Sequence, residues 1–504
     1  MNILRLKISS ILVCVVLSYA LCISANCYAE DPVDPGSYDN TQDEKKLFFS
    51  MQDCIIYAVR NSLDVGIAKV DYLIQGTQER SAESIFDAYM NGLIGYEENR
   101  MENISILYPD KLQTNTYELG AKKKLPTGTD LDFSYSTVRS WNNSQYNTYN
   151  PAFDSEFTLD ITQPVLKNFF GYNDRRTVTL AKLAVKNADL SSKDQIEAII
   201  AGVEKYYWVW LFEMYTFNMF KEMLEKAESL DEINKKNFNI GRIEKGDLYA
   251  SEANVITRRN QVKLSKNRVK RSEENLKLAM NLPENIDLET GDKLEVTSAK
   301  ITLVGCLQEA FNNRRDYKIA KRDIEINNID LQMKSNQLWP EVDLVGTIGA
   351  NGVDTKLRKS LRNITDNNNM DFYAGIDISI PLENNLAVSN YNKAKYEKER
   401  AILSFKNVER TIVTEIGNAY RNYKTYQANL NGLREARDLE DLKLKEEEKR
   451  FSYGRSNTKR VIDYQSDLLL SQIRVASGIL DLENSRVELE RQMNILLKQY
   501  EEYL

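Results

Sequence analysis

Phe238-Asn239-Ile240-Gly241-Arg242 and Phe451-Ser452-Tyr453-Gly454-Arg455 are one turn written twice, 213 residues apart. Outward from them the register holds without a gap. Ala181-Lys182 answers Ala394-Lys395, Tyr207 answers Tyr420, Lys236 answers Lys449, and Met280-Asn281 answers Met493-Asn494. Upstream, a second stretch repeats with an offset of 252, from Cys54, Ala58, Asn61 and Asp64 to Cys306, Ala310, Asn313 and Asp316. Two large copies of one unit therefore fill nearly the whole chain after its leader, and a period of this size takes precedence over any reading as unrelated domains.

The segments flanking the turns read as helices. Asp174 to Phe238 runs 65 residues with no proline and one glycine, Gly202. At about 1.5 Å per residue that is roughly 100 Å of helix. Beyond the turn the chain returns with Leu248, Val255, Val262, Val269 and Leu276, and in the second copy with Val461, Leu468, Val475, Leu482, Leu489 and Leu496. A strict spacing of seven implies a left-handed coiled coil held along one apolar seam.

Other segments alternate with period two. Val342, Leu344, Gly346, Ile348 and Ala350 alternate with Asp343, Val345, Thr347 and Gly349. Phe157, Leu159 and Ile161 alternate with Glu156, Thr158 and Asp160, and Ile376, Ile378 and Ile380 alternate with Gly375, Asp377 and Ser379. Such strands have one apolar and one polar face. A soluble sheet covers the apolar face with helices, whereas an outer-membrane barrel turns it to lipid. Alternation alone leaves both open, and the leader tilts the reading toward lipid. The first copy carries an extra hairpin near 116–138, in which Thr116–Lys124 and Leu131–Val138 flank the tight turn Leu125-Pro126-Thr127-Gly128. The sequence leaves open whether it joins the barrel or lengthens its rim. Trp141 to Pro151 is polar and aromatic and reads as an exposed outer loop. Prolines mark the strand–helix junctions: Pro164 and Pro381 where strands end, and Pro340 where a helix ends. From Pro164 to Ala181 is 17 residues and from Pro381 to Ala394 is 13, so the first copy has four extra around Asn168 to Tyr172.

Bulk composition narrows the function. Among 504 residues, 67 Lys and Arg stand against 74 Asp and Glu, and a net charge of −7 gives no footprint for nucleic acid. Histidine is absent, which removes the Ser-His-Asp triad, histidine-based zinc sites and haem ligation by histidine. No phosphate-binding glycine loop or metal cluster is legible. The reading is therefore no enzyme, no cofactor and no metal. Arg5 and Lys7 followed by the apolar stretch Ile8 to Ala25 read as a secretory signal cleaved after Cys27-Tyr28-Ala29. Cys22 and Cys27 lack the small preceding residue that lipidation signals want. No later run is long enough for a transmembrane helix, so membrane entry requires a closed β-barrel. Cys54 and Cys306 read as small core residues, and nothing in their spacing demands a disulfide.

The map that follows is a signal at 1–29, a linker at 30–50, repeat one at 51–282, an equatorial connector at 283–302 and repeat two at 303–504. Repeat one holds a leading helix 51–87, barrel strands and outer loop 91–163, a long helix 174–238 and a returning helix 244–281. Repeat two holds a leading helix 303–338, strands 341–380, a long helix 388–451 and a returning helix 459–498. The fold class is mainly α with membrane β: two tandem repeats of long coiled-coil helices plus strands too few to close a barrel alone. Open edges cannot sit in lipid, so closure requires several chains.

Gln163-Pro164-Val165-Leu166, Lys124-Leu125-Pro126-Thr127-Gly128-Thr129, Leu338-Trp339-Pro340 and the paired turns, in this order and duplication, resemble the TolC-type outer-membrane efflux proteins. The resemblance implies a homotrimer with one shared barrel of twelve strands, four from each chain. It also implies a helical tunnel in the periplasm that docks to a periplasmic adaptor and an inner-membrane pump. Adaptor contacts map onto Phe238, Gly241, Arg242, Phe451, Gly454 and Arg455; the plainer reading is that the two glycines supply positive φ at a turn. The family's acidic pore constriction maps onto Asp463, nine residues after Gly454. The position six after Gly454 holds Arg460, and its counterpart in the first copy is Asp247. The implied constriction therefore mixes charges, and the plainer reading of Asp463 is a solvated surface carboxylate. Drug efflux, protein secretion and metal export all remain open as cargo. The alternative is a periplasmic coiled-coil structural or adaptor protein without a barrel, which explains the helices and the leader but not the strands or the proline junctions.

Overall fold

The computed structural model describes residues 46–100, 102, 108–296, 301–365 and 369–503. The signal over 1–29, with Cys22 and Cys27, and the linker as far as residue 45 lie outside the described residues. The chain parts into two units, Met1–Lys46 with Asn285–Asp287, and Leu47–Glu284 with Leu288–Leu504. Among the described residues the second holds every α-helix and the large sheet. Its order is α1 (Met51–Asn61), α2 (Leu63–Glu83), β1 (Ala88–Asn99), β2 (Leu112–Lys124), β3 (Asp130–Asn142), β4 (Ala152–Pro164), α3 (Tyr172–Asn239) and α4 (Lys245–Met280). It continues with α5 (Leu303–Asn313), α6 (Arg315–Asn336), β5 (Glu341–Asp354), α7 (Leu357–Ile364), β6 (Met370–Ser379), α8 (Asn385–Ser452) and α9 (Thr458–Gln492).

Each leading helix, expected as one piece, is broken once. The breaks fall at Ser62 (ψ 131°) and Arg314 (ψ 125°), which are equivalent under the offset of 252. Neither position carries a proline or glycine. The cause lies in the partner segments. Asn281 and Asn494, equivalent to each other and both at positive φ, sit just past the returning helices. The Asn281 amide donates to the Asn61 carbonyl at 3.1 Å, and the Asn494 side-chain oxygen accepts from the Arg315 backbone at 3.0 Å. Each break thus exchanges a helical hydrogen bond for a tertiary one.

Helices α3 and α4 form one hairpin and α8 and α9 the other, while α2 packs on α3, α6 on α8 and α9 on α3. The core is built from the apolar stripes of these faces. Tyr207, Trp210, Leu276 and Met280 are fully buried in the first hairpin, and Ile412, Ile416, Tyr423, Leu430 and Leu468 in the second. Much of the remaining helix surface is polar or charged, and such amphipathic helices draw their stability from packing rather than from propensity. Cys54 and Cys306 are both buried and both free.

The sheet is antiparallel throughout in the order β1-β2-β3-β4-β5-β6. The sheet thus holds six strands, where the resemblance implied four for the barrel. The difference is the β2–β3 hairpin, inserted between the two strands of the first repeat that adjoin helices. Its turn closes with Gly128 at φ +76°, donating to the Leu125 carbonyl at 2.8 Å. The partner row starting at Ala88, the first residue of β1, runs through Lys123, Leu131 and Ile161 to Gly346. Five residues of β5, Glu341–Val345, still lie before that row. Such a stagger accompanies strand tilt in a sheet that curls toward closure.

Candidate functional site

Directly opposed residues in a ladder share a face, so the register sorts every side chain of the sheet. On one face, Met90, Ala121, Phe133, Leu159, Ile348 and Phe372 form a continuous row across all six strands. The next row is Gly92, Leu119, Tyr135, Phe157, Ala350 and Met370. Phe133 and Phe157 meet edge to face with centroids 4.8 Å apart. On the opposite face a row of Tyr89, Lys122, Asp132, Asp160, Thr347 and Tyr373 lies beside a row of Asn91, Gly120, Ser134, Thr158, Gly349 and Asp371. Lys122 pairs with Asp132 at 2.6 Å, and the Ser134 and Thr158 hydroxyls lie 2.9 Å apart. In these rows one face is therefore apolar across all six strands, and the other is polar, with more acidic than basic side chains. Toward the loop end the first face turns polar at Thr137 and Ser155, which hydrogen-bond each other, with Ser155 also bonded to Ser360 of α7.

The sheet ends in two open edges. On β1, Met90 and Ile94 are 68% and 76% exposed; on β6, Phe372 and Ile376 are 74% and 65% exposed. Large apolar side chains beside unpaired backbone groups are not a stable surface in water or in lipid.

At the far end of the long helices the two turns are built alike. Gly241 (φ +73°) donates to the Phe238 carbonyl at 2.9 Å, and Arg242 to the Asn237 carbonyl at 2.9 Å. Gly454 (φ +71°) donates to Phe451 and Arg455 to Arg450, both at 2.9 Å. Both glycines close their helices in the left-handed conformation that other residues adopt only with strain. An open cleft of about 830 Å³ joins the turns, lined among others by Ile233, Arg242, Phe451, Tyr453, Gly454 and Val461. Phe238, Gly241 and Arg455 are not among its lining residues. Beneath it, the Asn234 amide donates to the Thr458 hydroxyl at 3.2 Å, a buried link between α3 and α9.

Asp463 is exposed on α9 and Asp247 is half-buried in the first turn of α4. Arg460 is held locally: its backbone donates to the Asn457 cap at 2.9 Å, and its guanidinium lies 3.8 Å from the buried Glu447. Glu447 also accepts from Ser456. Among the described residues no hydrogen bond or ion pair joins Asp247, Arg460 and Asp463 within one chain. Pro164 closes β4, Pro340 immediately precedes β5, and Pro381 follows β6. Asn336 braces the first junction, accepting from the Asn168 backbone and the Asn173 amide, each at 2.9 Å.

Two arginines at the interface between hairpins, Arg486 half-buried and Arg258 buried, escaped the sequence reading. Arg486 on α9 binds Glu483 at 2.7 Å, Glu490 at 2.8 Å and, across the helix interface, Glu204 of α3. The i, i+3 and i+4 spacing of its own-helix partners was visible, whereas Glu204 was not. Arg258, 6% exposed, bonds neutral oxygens among the described residues, Gln261 at 3.0 Å and Ser466 of α9 at 2.6 Å. Burial lowers its pKa from the usual arginine value.

Residues 306–494 match the outer membrane efflux protein family. The fold is that of solved outer-membrane channels. The Campylobacter jejuni CmeC channel covers 90% of this chain and is itself covered to 89%, with TM-score 0.64 and 14% identity. Vibrio cholerae VceC gives 88% and 96%, TM-score 0.64 and 15% identity. The Neisseria gonorrhoeae MtrE channel, solved in its open state, gives 88% and 89%, TM-score 0.64 and 14% identity. No curated protein sequence matches the chain. The family match thus lies within the second repeat, while the likeness to solved channels extends over nearly the whole fold.

Proposed function

We propose that this protein is the outer-membrane channel-tunnel of a tripartite efflux or type I secretion system, a homotrimer that conducts substrates passively to the exterior. The carrying observation is the sheet: two adjacent rows of one face are apolar across all six strands, the opposite face is polar with more acidic than basic side chains, and both edges are open. A second copy supplies the missing ladder. Because the strands alternate in direction and are even in number, β1 of one copy runs antiparallel to β6 of the next, and a ring closes without a mismatch. A further stripe supports assembly. Leu63, Ile67, Val70 and Ile74 recur at helical spacing along α2 and are 67%, 60%, 52% and 53% exposed, which suits a neighbouring helix rather than water.

In this reading the sheet spans the outer membrane and the helices form the periplasmic tunnel. The cleft between the turns receives the periplasmic adaptor, with Arg242, Phe451 and Gly454 in contact and Phe238, Gly241 and Arg455 shaping the turns, and an inner-membrane pump drives transport. Asp463, unpaired and exposed, is the residue that lines the closed tip. Arg460 is tied back to Glu447, so its charge reaches the lumen less than Asp463 does. The test is single-channel recording of the detergent-extracted oligomer in a planar bilayer. Discrete long-lived steps are expected, with lower cation preference for Asp463→Asn than for wild type. A protein that stays monomeric and soluble without detergent would overturn the reading in favour of a coiled-coil spacer.

A further inference from the structure

The β2–β3 hairpin has no counterpart in the second repeat, and its two strands adjoin no helix. The other four do: α2 leads into β1, β4 leads to α3, α6 leads into β5, and β6 leads to α8. A loose outer flap would be bonded along one side or neither. This hairpin is laddered on both, to β1 from Asn99↔Leu112 down to Ala88↔Lys123, and to β4 from Ser140↔Ala152 down to Asp130↔Thr162. Its faces continue those of its neighbours, with Leu119, Ala121, Phe133 and Tyr135 in the apolar rows and Glu118, Lys122, Asp132 and Ser134 on the polar side.

Its foot is fastened as well. The Gln163 amide at the end of β4 donates to the Thr127 carbonyl at 3.2 Å, and the Thr129 hydroxyl bonds the Gln163 oxygen at 2.5 Å. Gly128 and Gly171 bring two backbones together so closely that a β-carbon on Gly171 would stand 2.4 Å from the Pro126 oxygen. The four residues by which the first junction exceeds the second fall at this contact. The hairpin and the longer junction thus belong together as one adaptation.

We infer that the hairpin is part of the transmembrane wall, so that each copy supplies six strands and a three-copy ring closes as an eighteen-stranded barrel. The inference rests on the channel reading and adds the size of the exit to it. Strands about 4.8 Å apart, tilted ~40°, give a backbone diameter of about 36 Å for eighteen strands against about 24 Å for twelve. The helical collar beneath gains no helix, so only the membrane end of the path is widened, and the exit admits cargo too bulky for a twelve-stranded wall.

The experiment uses the full-length oligomer in lipid vesicles. Single cysteines are placed in pairs of opposite face: Glu118→Cys and Leu119→Cys on β2, Ser136→Cys and Tyr135→Cys on β3, and Thr158→Cys and Leu159→Cys on β4 as reference. The native Cys54 and Cys306 are buried and stay silent to a membrane-impermeant maleimide. The inference expects Glu118→Cys and Ser136→Cys to react at least about tenfold faster than their lipid-facing neighbours, as at the reference pair. Equal, fast labelling of both faces of β2 and β3, with alternation kept at β4, would overturn it and leave the channel reading standing. Loss of alternation at β4 too would sink the channel reading itself. Averaged electron images of the wild-type oligomer down its axis give an independent count; eighteen staves support the inference and twelve refute it.

Discussion

Replacing Arg486 by methionine tests how the two repeats are held together. Its guanidinium is the shared cation for Glu483 and Glu490 on its own helix and Glu204 on α3, with the side chains of Glu204 and Glu483 only 4% and 3% exposed. Burial opposes its charge, but Glu490, Glu204 and Glu483 outweigh burial and hold it above the usual arginine range. Two opposite charges about 4 Å apart attract by about 4 kcal/mol at an effective dielectric near 20. Removing one partner of a buried pair costs about 3–5 kcal/mol after relaxation. The expected loss for Arg486→Met is therefore about 3–5 kcal/mol at pH 8. The pH dependence has a definite sign. Glu490 is already raised, by burial first and despite Arg486, and without the cation it rises further. A carboxylate raised on folding contributes stability below its unfolded pKa and loses it as pH climbs through the folded value. The deficit of Arg486→Met should thus shrink toward pH 5, by about 1.4 kcal/mol per unit of added shift. The assay is urea unfolding of the purified oligomer followed by helical circular dichroism at both pH values, with unfolding rates compared if the transition is irreversible. Arg486→Lys, which keeps charge but not the fork, should fall between. A loss under about 1 kcal/mol, or one equal at both pH values, would refute the reasoning.

Four further outcomes are expected. Gly241→Ala and Gly454→Ala meet nothing within 4 Å, so each should cost only the left-handed backbone penalty of about 1–2 kcal/mol, measured as a thermal shift. Gly171→Ala adds a backbone clash to positive φ and should destabilise more than either, with the strand end of the molecule losing hydrogen-exchange protection first. Arg258→Met removes a buried charge that has no carboxylate partner among the described residues and should leave the unfolding midpoint equal to or above wild type. The Cys54 thiol is pushed up to about 12, mainly by burial, so maleimide labelling of native protein at pH 7 should be negligible and should become complete in denaturant.

The repeat and the heptads made the helical architecture legible because long helices and their turns are local: a glycine at positive φ, a capping run and a seven-residue seam all lie within one stretch of chain. What stayed hidden was set by segments far apart in sequence. The breaks at Ser62 and Arg314 are met by Asn281 and Asn494, which bond the neighbouring Asn61 and Arg315 backbones from the ends of other helices. Arg460 lies 3.8 Å from Glu447 across its own hairpin, a neighbour that spacing from the turn, which placed it at the pore, could not show. The β2–β3 hairpin was visible as a hairpin, but a ladder is a long-range contact, and alternation says which face is apolar without saying which strand lies alongside. The structure supplies that missing neighbour relation, and the width of the exit follows from it. A strand inserted with its apolar residues in phase with β1 and β4 serves as wall, whereas the same hairpin slipped by one residue would carry its charges to the lipid face. The phase match of Ala121 with Phe133 and Met90, and of Leu119 with Tyr135 and Gly92, is thus the strongest reason to count the hairpin among the staves.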